Sequence, residues 1–374
     1  MAGKSVFLHV QHLLGIGHLK RAATLCRALA AAGFEVTLAS GGAGVPGIVP
    51  HGVKLVQLPP ASAADASFKV LLDEDGRPIT DAWRERRKTA LLEAWRAARA
   101  QVLVVELFPF GRRQLRFELL PLLEQAGEAL VLCSVRDLLQ SRPSRQAEAL
   151  ELLERYFDHV LVHGDPRIAL FERSFGAAAR IAGRLHYTGY VVDELPQAIG
   201  EAGRGEVVVS AGGGAVGRRL LEAAIRARPL TRLRGLTWRV LAGVNATEAD
   251  LHALGSISRD GVVIERARKD FTTLLRNCEL SISQAGYNTV VETLQAGARA
   301  VVVPFSDGNE TEQGLRARLL ADRGLLERVE ASGLAPETLA AAVERAAARP
   351  RPAAHDLDLD GARRSAELVR RWTS

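Results

Sequence analysis

The sequence predicts an α/β protein built from parallel-sheet units in two domains, and three observations predict it. The chain runs to 374 residues, more than one hydrophobic core usually serves. Short apolar, β-branched runs alternate with helical runs from end to end, the pattern of βαβ units. That alternation breaks once, at "YTGYVVDELPQAIGEAGRGE", which is rich in Gly and Pro and weak in periodicity.

The elements follow in order. Strands are predicted at "SVFLHV", "EVTLAS", "VKLVQL", "VLVVEL", "ALVLCSV" and "HVLVHG", with helices over Leu19–Ala32 and Gln146–Tyr156 among the segments between them. The second half repeats the arrangement with "EVVVSA", "WRVLAG", "VVIER", "LSISQ" and "AVVVPF". The expected organisation is a first domain over residues 1–190, a linker over 191–204, a second domain over 205–355 and a last helix over 356–374. Each domain reads as a Rossmann-like parallel sheet. The expectation is that the two face each other across a cleft and that the last helix crosses back to the first domain.

Composition excludes several classes. Hydrophobic residues make up 47% and charged residues 25% of the chain, ordinary globular values. No apolar run is long enough for a transmembrane helix, and "KSVFLHVQHLLG" lacks the form of a signal peptide. Cys26, Cys133 and Cys278 lie far apart in apolar surroundings and read as buried cytosolic thiols. The net charge of +6 is spread over helices whose arginines alternate with glutamates, so it reads as solvated faces without a nucleic-acid partner. A basic rim suited to peripheral association with an anionic membrane stays open, with a cytoplasmic protein at the inner face as the expected location. Asp73, Glu74 and Asp75 superficially suggest a metal site, but "DEDG" between two extended runs is turn chemistry.

Two glycine loops carry the functional signal. The first, "GIGHLK", fails as a dinucleotide fingerprint. Gly15 and Gly17 are present, but the third glycine position is Lys20, and "EVTLAS" ends without the acid that would hold a ribose. The second, in "VVVSAGGGAVGRRLLEAAIRA", sets Ser210, Gly212, Gly213 and Gly214 between a strand and a helix, where backbone N–H groups and the helix dipole suit an anion. Downstream, Ser283, Gln284, Ala285 and Gly286 sit at another helix start. Asn288 and Glu292 are four apart on one helix face, and a carboxylate there suits the paired hydroxyls of a ribose. "NETEQ" then places Glu310, Glu312 and Gln313 just past another strand end.

These residues, "SQAG", "TVVE" from Thr289, "AGARAVVVPF" and "EQ", cover about residues 205–325 and resemble the nucleotide-sugar-binding domain of GT-B glycosyltransferases. The similarity is to the family-28 type, whose model member adds N-acetylglucosamine to a lipid-linked peptidoglycan precursor, and to an uncharacterised bacterial branch of it. The first half matches through "GIGH", "RA" and strand order only. The resemblance implies that Glu292 holds the ribose and that Gly212–Gly214 lie at the diphosphate. It further implies that Glu312 and Gln313 contact the sugar, with the base against backbone near Ile264–Arg266. It implies an inverting, metal-independent transfer from a nucleotide sugar, UDP-linked, to an acceptor hydroxyl on a glycan, a lipid-linked carrier or a small molecule. No cofactor is implied. The chain departs from the model member in a longer segment between "PF" and "EQ" and in one glycine fewer before the first-loop histidine.

Such chemistry requires a general base of near-neutral pKa, and His18, at the start of the first helix, is the candidate. Glu106, at a strand end, is a second acid/base group or an acceptor anchor. Gly15, Gly17, His12, Arg136 and Asp137 are acceptor-side candidates, and His163, Asp165, Arg112 and Arg113 lie at comparable loop positions. A nucleotide-sugar hydrolase, with water in place of the acceptor, needs the same donor site and base and stays open. So do a 2-epimerase and a non-catalytic nucleotide-sugar-binding protein, although the epimerase would want acids and histidines that "SQAGYN" does not supply.

Overall fold

The computed structural model describes residues 4–65, 68–140, 143–195, 200–211, 217–243, 246–305, 311–352 and 357–374. It divides into two compact units, Met1–Val192 with Leu357–Ser374, and Asp193–Asp356.

Unit 1 contains strands β1 (Ser5–Val10), β2 (Glu35–Ser40), β3 (Lys54–Gln57), β4 (Ser62–Ala63), β5 (Leu71–Leu72), β6 (Val102–Glu106), β7 (Leu130–Arg136), β8 (His159–His163) and β9 (Leu185–Tyr187), with helices α1 (Gly17–Ala31), α2 (Asp81–Ala98), α3 (Arg116–Glu124) and α4 (Gln146–Tyr156). Seven strands form one parallel sheet in the order β3-β2-β1-β6-β7-β8-β9, and β4 and β5 pair antiparallel apart from it. The central strands are near-continuous apolar runs because helices cover both faces. Their period of two splits the core. Phe7, Leu103, Val105, Cys133 and Val135 pack with Leu91 and Trp95 of α2, whereas Val6, Leu8, Val10, Val36, Leu38 and Val104 pack with Leu19, Leu25 and Leu29 of α1.

Unit 2 contains β10 (Glu206–Ser210), β11 (Thr237–Ala242), β12 (Val262–Arg266), β13 (Leu280–Ser283), β14 (Ala300–Val302) and β15 (Glu327–Arg328), with α5 (Arg218–Ala227), α6 (Glu248–Ile257), α7 (Phe271–Asn277), α8 (Tyr287–Gln295), α9 (Glu312–Ala321) and α10 (Pro336–Ala348). Its parallel sheet runs β12-β11-β10-β13-β14-β15. Val207, Val209, Trp238, Val240 and Ile282 pack with the apolar face of α5 and with Leu339 and Val343 of α10. Both sheets are Rossmann-like.

The last helix, α11 (Gly361–Trp372), returns to unit 1 and packs along α1. Its docking is backbone-led: Tyr190 N–H donates to Asp358 O at 2.7 Å and Gly361 N–H to Tyr190 O at 3.0 Å. A side chain at Gly361 would strike the Gly189 and Tyr190 carbonyls, so only glycine permits this approach. Trp372 stacks on His159 with centroids 3.9 Å apart.

Four short strands escape the periodicity reading, β4, β5 and β15 of two residues and β9 of three, because so few residues show no period. The first helix begins at Gly17, two residues before its expected start, which puts His18 inside its first turn. Asp73 closes the "DEDG" turn, its Oδ1 accepting from the Asp75 N–H at 3.0 Å and the Arg77 N–H at 2.9 Å. Among the described residues no helix is long and apolar enough to cross a membrane.

In each sheet the strand order reverses once, between β1 and β6 in unit 1 and between β10 and β13 in unit 2. Ligands of open parallel sheets bind outside the carboxyl ends of the strands at such a reversal. That rule selects His18 and Glu106 in one unit and Ser210 and Ser283 in the other.

Candidate active site

In unit 1, β1 and β6 pair directly, His9 opposite Val105. The loop after β1 delivers His18 in the first turn of α1, and Glu106 is the last residue of β6. His18 Nδ1 lies 2.9 and 3.0 Å from the two Glu106 oxygens, 88 residues apart in sequence. Arg21, one turn further along α1, donates to Glu106 Oε1 from Nη2. The side chains of Glu106 and Arg21 are almost fully buried, and that of His18 is 17% exposed.

Burial pushes the Glu106 carboxyl up, but His18, Arg21 and Arg112 outweigh it and hold the group below the usual carboxylate range. Burial also pushes His18 below the ordinary imidazole value, against the pull of Glu106. At neutral pH the pair is therefore a carboxylate and a neutral imidazole. A carboxylate only accepts, so the shared proton resides on His18 Nδ1, leaving the Nε2 lone pair available as a base.

Around this pair, Arg112 donates from Nε to Gln11 O at 3.1 Å, its backbone at φ 63. Burial, with Arg136 and Arg21 adding to it against Glu106, pushes its pKa down to about 10. Arg136 ends β7 half-buried, opposite His163 of β8. Asp137 is 1% exposed, and its Oδ1 accepts the Leu138 N–H at 2.8 Å. His163 is tied into Ser134 and Thr188, both at 2.9 Å, as an interior hydrogen-bond chain. His12 is 6% exposed and lies against Gly42, and burial lowers its pKa. Gly15 sits in the bend before α1 and Gly17 opens the helix.

Beneath the loops lies a group that sequence reading missed. Arg87 of α2 is fully buried. Nε and Nη2 bind Glu118 at 2.7 and 2.8 Å, Nη2 reaches Gln11 Oε1 at 2.6 Å, and Nη1 reaches Gly41 O and Pro59 O, both at 2.8 Å. The guanidinium thus uses its whole set of donors to clasp the segments that leave β1, β2 and β3. A side chain at Gly41 would collide with it. In sequence Arg87 is one of several arginines on a polar helix, and nothing local sets it apart.

In unit 2 the expected residues also gather at the strand ends. Ser210 and Ser283 are register partners at the ends of β10 and β13. Ser283 is 1% exposed, and its Oγ has no hydrogen-bond partner among the described residues. Gln284 and Ala285 lead into α8, where Gly286 is the N-cap and no side chain caps the helix; a helix N-terminus of this kind favours an anion. Asn288, Thr289 and Glu292 follow on α8, with Glu292 5% exposed. Arg266 ends β12, but its guanidinium turns to Ala246 O and to Glu248 at 2.6 Å. Glu312 opens α9 at 3% exposure. Gln313 accepts the Phe305 N–H at 3.1 Å through Oε1. Gly212, Gly213, Gly214 and Glu310 lie outside the described residues. Among those described, no three His, Cys, Asp or Glu side chains converge as a metal centre.

Comparison with known proteins bears on the family and the fold. The model of the glycosyltransferase family 28 C-terminal domain matches residues 208–366. The structure of the glycotransferase of kitacinnamycin superposes with a TM-score of 0.67 at 17% identity, over 99% of both chains, and MurG of Acinetobacter baumannii with 0.59 at 15%, over 98% of this chain and 99% of that one. The protein is a family-28-like chain with the GT-B fold. The family-28-like chain is also 27% identical, over 183 residues, to UDP-N-acetylglucosamine--N-acetylmuramyl-(pentapeptide) pyrophosphoryl-undecaprenol N-acetylglucosamine transferase of Phenylobacterium zucineum. That alignment takes in 46% of this chain and 50% of the relative, so the chain spans about half the relative's length. The family match takes in every strand-end residue of unit 2 named above and runs on into the start of α11.

Proposed function

We propose that the protein transfers a sugar from a nucleotide sugar to an acceptor hydroxyl, with inversion at the anomeric carbon and without a metal. The His18–Glu106 pair at the strand reversal of unit 1 carries this reading. His18 Nε2 takes the proton of the acceptor hydroxyl as its oxygen attacks the anomeric carbon. The bond from that carbon to the diphosphate oxygen breaks as the new one forms, and the nucleoside diphosphate leaves with the electron pair. Glu106, ionised and already bonded to Nδ1–H, orients the ring and offsets the imidazolium charge that develops. General-base assistance of this kind contributes about 10²–10⁴-fold.

Unit 2 supplies the donor site. The N-terminus of α8 and the hydroxyls of Ser210 and Ser283 meet the diphosphate, Glu292 takes the ribose hydroxyls, and Glu312 and Gln313 take the sugar. Fixed dipoles meet the leaving charge where a cation otherwise would. The relative named above acts with UDP-N-acetylglucosamine, which makes that compound the first donor to try. An acceptor that is lipid-linked or a glycan, and a site of action at the inner face of a membrane in cell-envelope synthesis, belong to the same reading.

The test is a panel of UDP-, dTDP- and GDP-sugars scored by thermal shift, followed by product analysis with acceptor alcohols and glycans in the presence of EDTA. The reading expects one nucleotide series to stabilise the protein and an α-linked donor to give a β-linked product at a rate that chelation leaves unchanged. Free sugar released quantitatively without any acceptor would replace transfer with hydrolysis. Loss of activity in EDTA, restored by a divalent cation, would contradict metal independence.

A further inference from the structure

Arg316 lies on α9, one helical turn after Glu312, and is 1% exposed. Its Nη1 donates to Ala285 O at 3.1 Å, in the segment that leads into α8. The same nitrogen lies 3.6 Å from Glu312 Oε1, and the guanidinium carbon is 5.7 Å from the centroid of Tyr287, the first residue of α8. One buried cation therefore touches both segments that the proposed donor site uses, the start of α8 and the start of α9. Holding a guanidinium out of water is costly, and apolar packing would join two helices at less expense. What a planar, hydrogen-bonding cation adds is direction.

We infer that Arg316 is a positioning residue that fixes Glu312 relative to the N-terminus of α8, so that one nucleotide sugar meets both at once. This rests on unit 2 being the nucleotide-sugar site. Diphosphate and ribose contacts share α8 and survive without Arg316, whereas sugar contacts on α9 require the two helices to be in register. The signature is thus selective: the affinity that the sugar adds over the bare nucleoside diphosphate depends on Arg316, and the affinity of the diphosphate does not.

The experiment is calorimetric titration of the full chain with the nucleoside diphosphate and the nucleotide sugar that most stabilise the wild type in the panel above, UDP and UDP-N-acetylglucosamine being the first pair. For Arg316→Met, diphosphate affinity stays within about threefold, whereas nucleotide-sugar affinity falls by about tenfold, the scale of one lost charge-assisted hydrogen bond. Arg316→Lys, which keeps the charge without the fork, falls between. Glu312→Gln shows the same selective loss, and the Arg316→Met/Glu312→Gln double variant is no worse than either single one, because the two act as a unit. Leu254→Ala, a core truncation elsewhere in unit 2, lowers the melting temperature and leaves the ratio of the two affinities alone. If Arg316→Met does not fold, Arg316→Lys and Glu312→Gln carry the comparison. A folded Arg316 variant with an unchanged ratio, an additive double variant, or a wild type in which no sugar adds affinity would each overturn the inference while the nucleotide site stands. A wild type that binds no nucleoside diphosphate would overturn the site and the inference together.

Discussion

The two strand reversals present unlike chemistry. At the edge of unit 1 the polar groups are built around buried charges and committed to one another: His18 to Glu106, Glu106 to Arg21, Arg87 to Glu118 and to three carbonyl or amide oxygens. At the edge of unit 2 the paired strand ends carry neutral hydroxyls, Ser210 and Ser283. The contrast is what a division of labour between the units would produce. A base must have its tautomer and charge set before substrate arrives, so its partners are built in. A site for a diphosphate needs no such base and instead meets the anion with hydroxyls and a helix N-terminus.

The largest effect should come from breaking the ionic edge. Arg87→Met leaves Glu118 charged and buried, and chemical denaturation should show a loss of about 3–5 kcal/mol, with much of it returning in Arg87→Met/Glu118→Leu. A loss below about 1 kcal/mol would mean that the clasp is not what orders these loops.

A second test uses pH. Burial is the leading cause that pushes both His9 and His163 down to about 3. Between that value and the ordinary imidazole value near 6.5, the unfolded chain binds protons that the native state refuses. Stability is therefore complete above about pH 6.5 and falls as the solution is acidified. From pH 7.5 to 5.5 the two together should cost about 3 kcal/mol, in addition to what His18, also lowered by burial, contributes, and His163→Gln should reduce the total loss by about 1.4 kcal/mol. A flat profile over this range would contradict the burial of neutral imidazoles.

Glu106→Gln probes the pair itself. A carboxamide oxygen still accepts from Nδ1–H, so the tautomer survives, but the charge that meets the imidazolium is gone, and turnover should fall by about 100-fold. Because Glu106 raises the His18 pKa, its removal should also move the acidic limb of the pH–rate profile to lower pH, and Arg21→Met should move it up. Opposite movements would show that the ring is not held as described. The smallest expected change is at the other edge: Glu292→Ala should weaken UDP binding by about tenfold and leave the pH–rate profile alone. Unchanged UDP affinity would misplace the ribose.

The sequence makes these edges only partly legible, for physical reasons. Central strands such as β1, β6, β10 and β13 announce themselves because burial on both faces demands unbroken apolar runs, whereas β9 and β15 are too short to show any. His18 and Glu106 can each be picked out as residues beside a strand end, but their bond spans 88 positions and exists because the sheet places β6 beside β1. Arg21 shares the His18 face of α1 three residues on, yet in sequence it resembles any solvated helix arginine. Arg87 and Arg316 are buried arginines inside arginine-rich helices, and only the fold shows which of several identical side chains turns inward.

The central claim is that the base resides in unit 1 and the nucleotide in unit 2. The most direct test is His18→Ala, with turnover and UDP affinity measured on the same preparation. The account predicts a fall in turnover of about 10³-fold with UDP affinity unchanged. Turnover within about threefold of the wild type, or a parallel loss of UDP affinity, would contradict it.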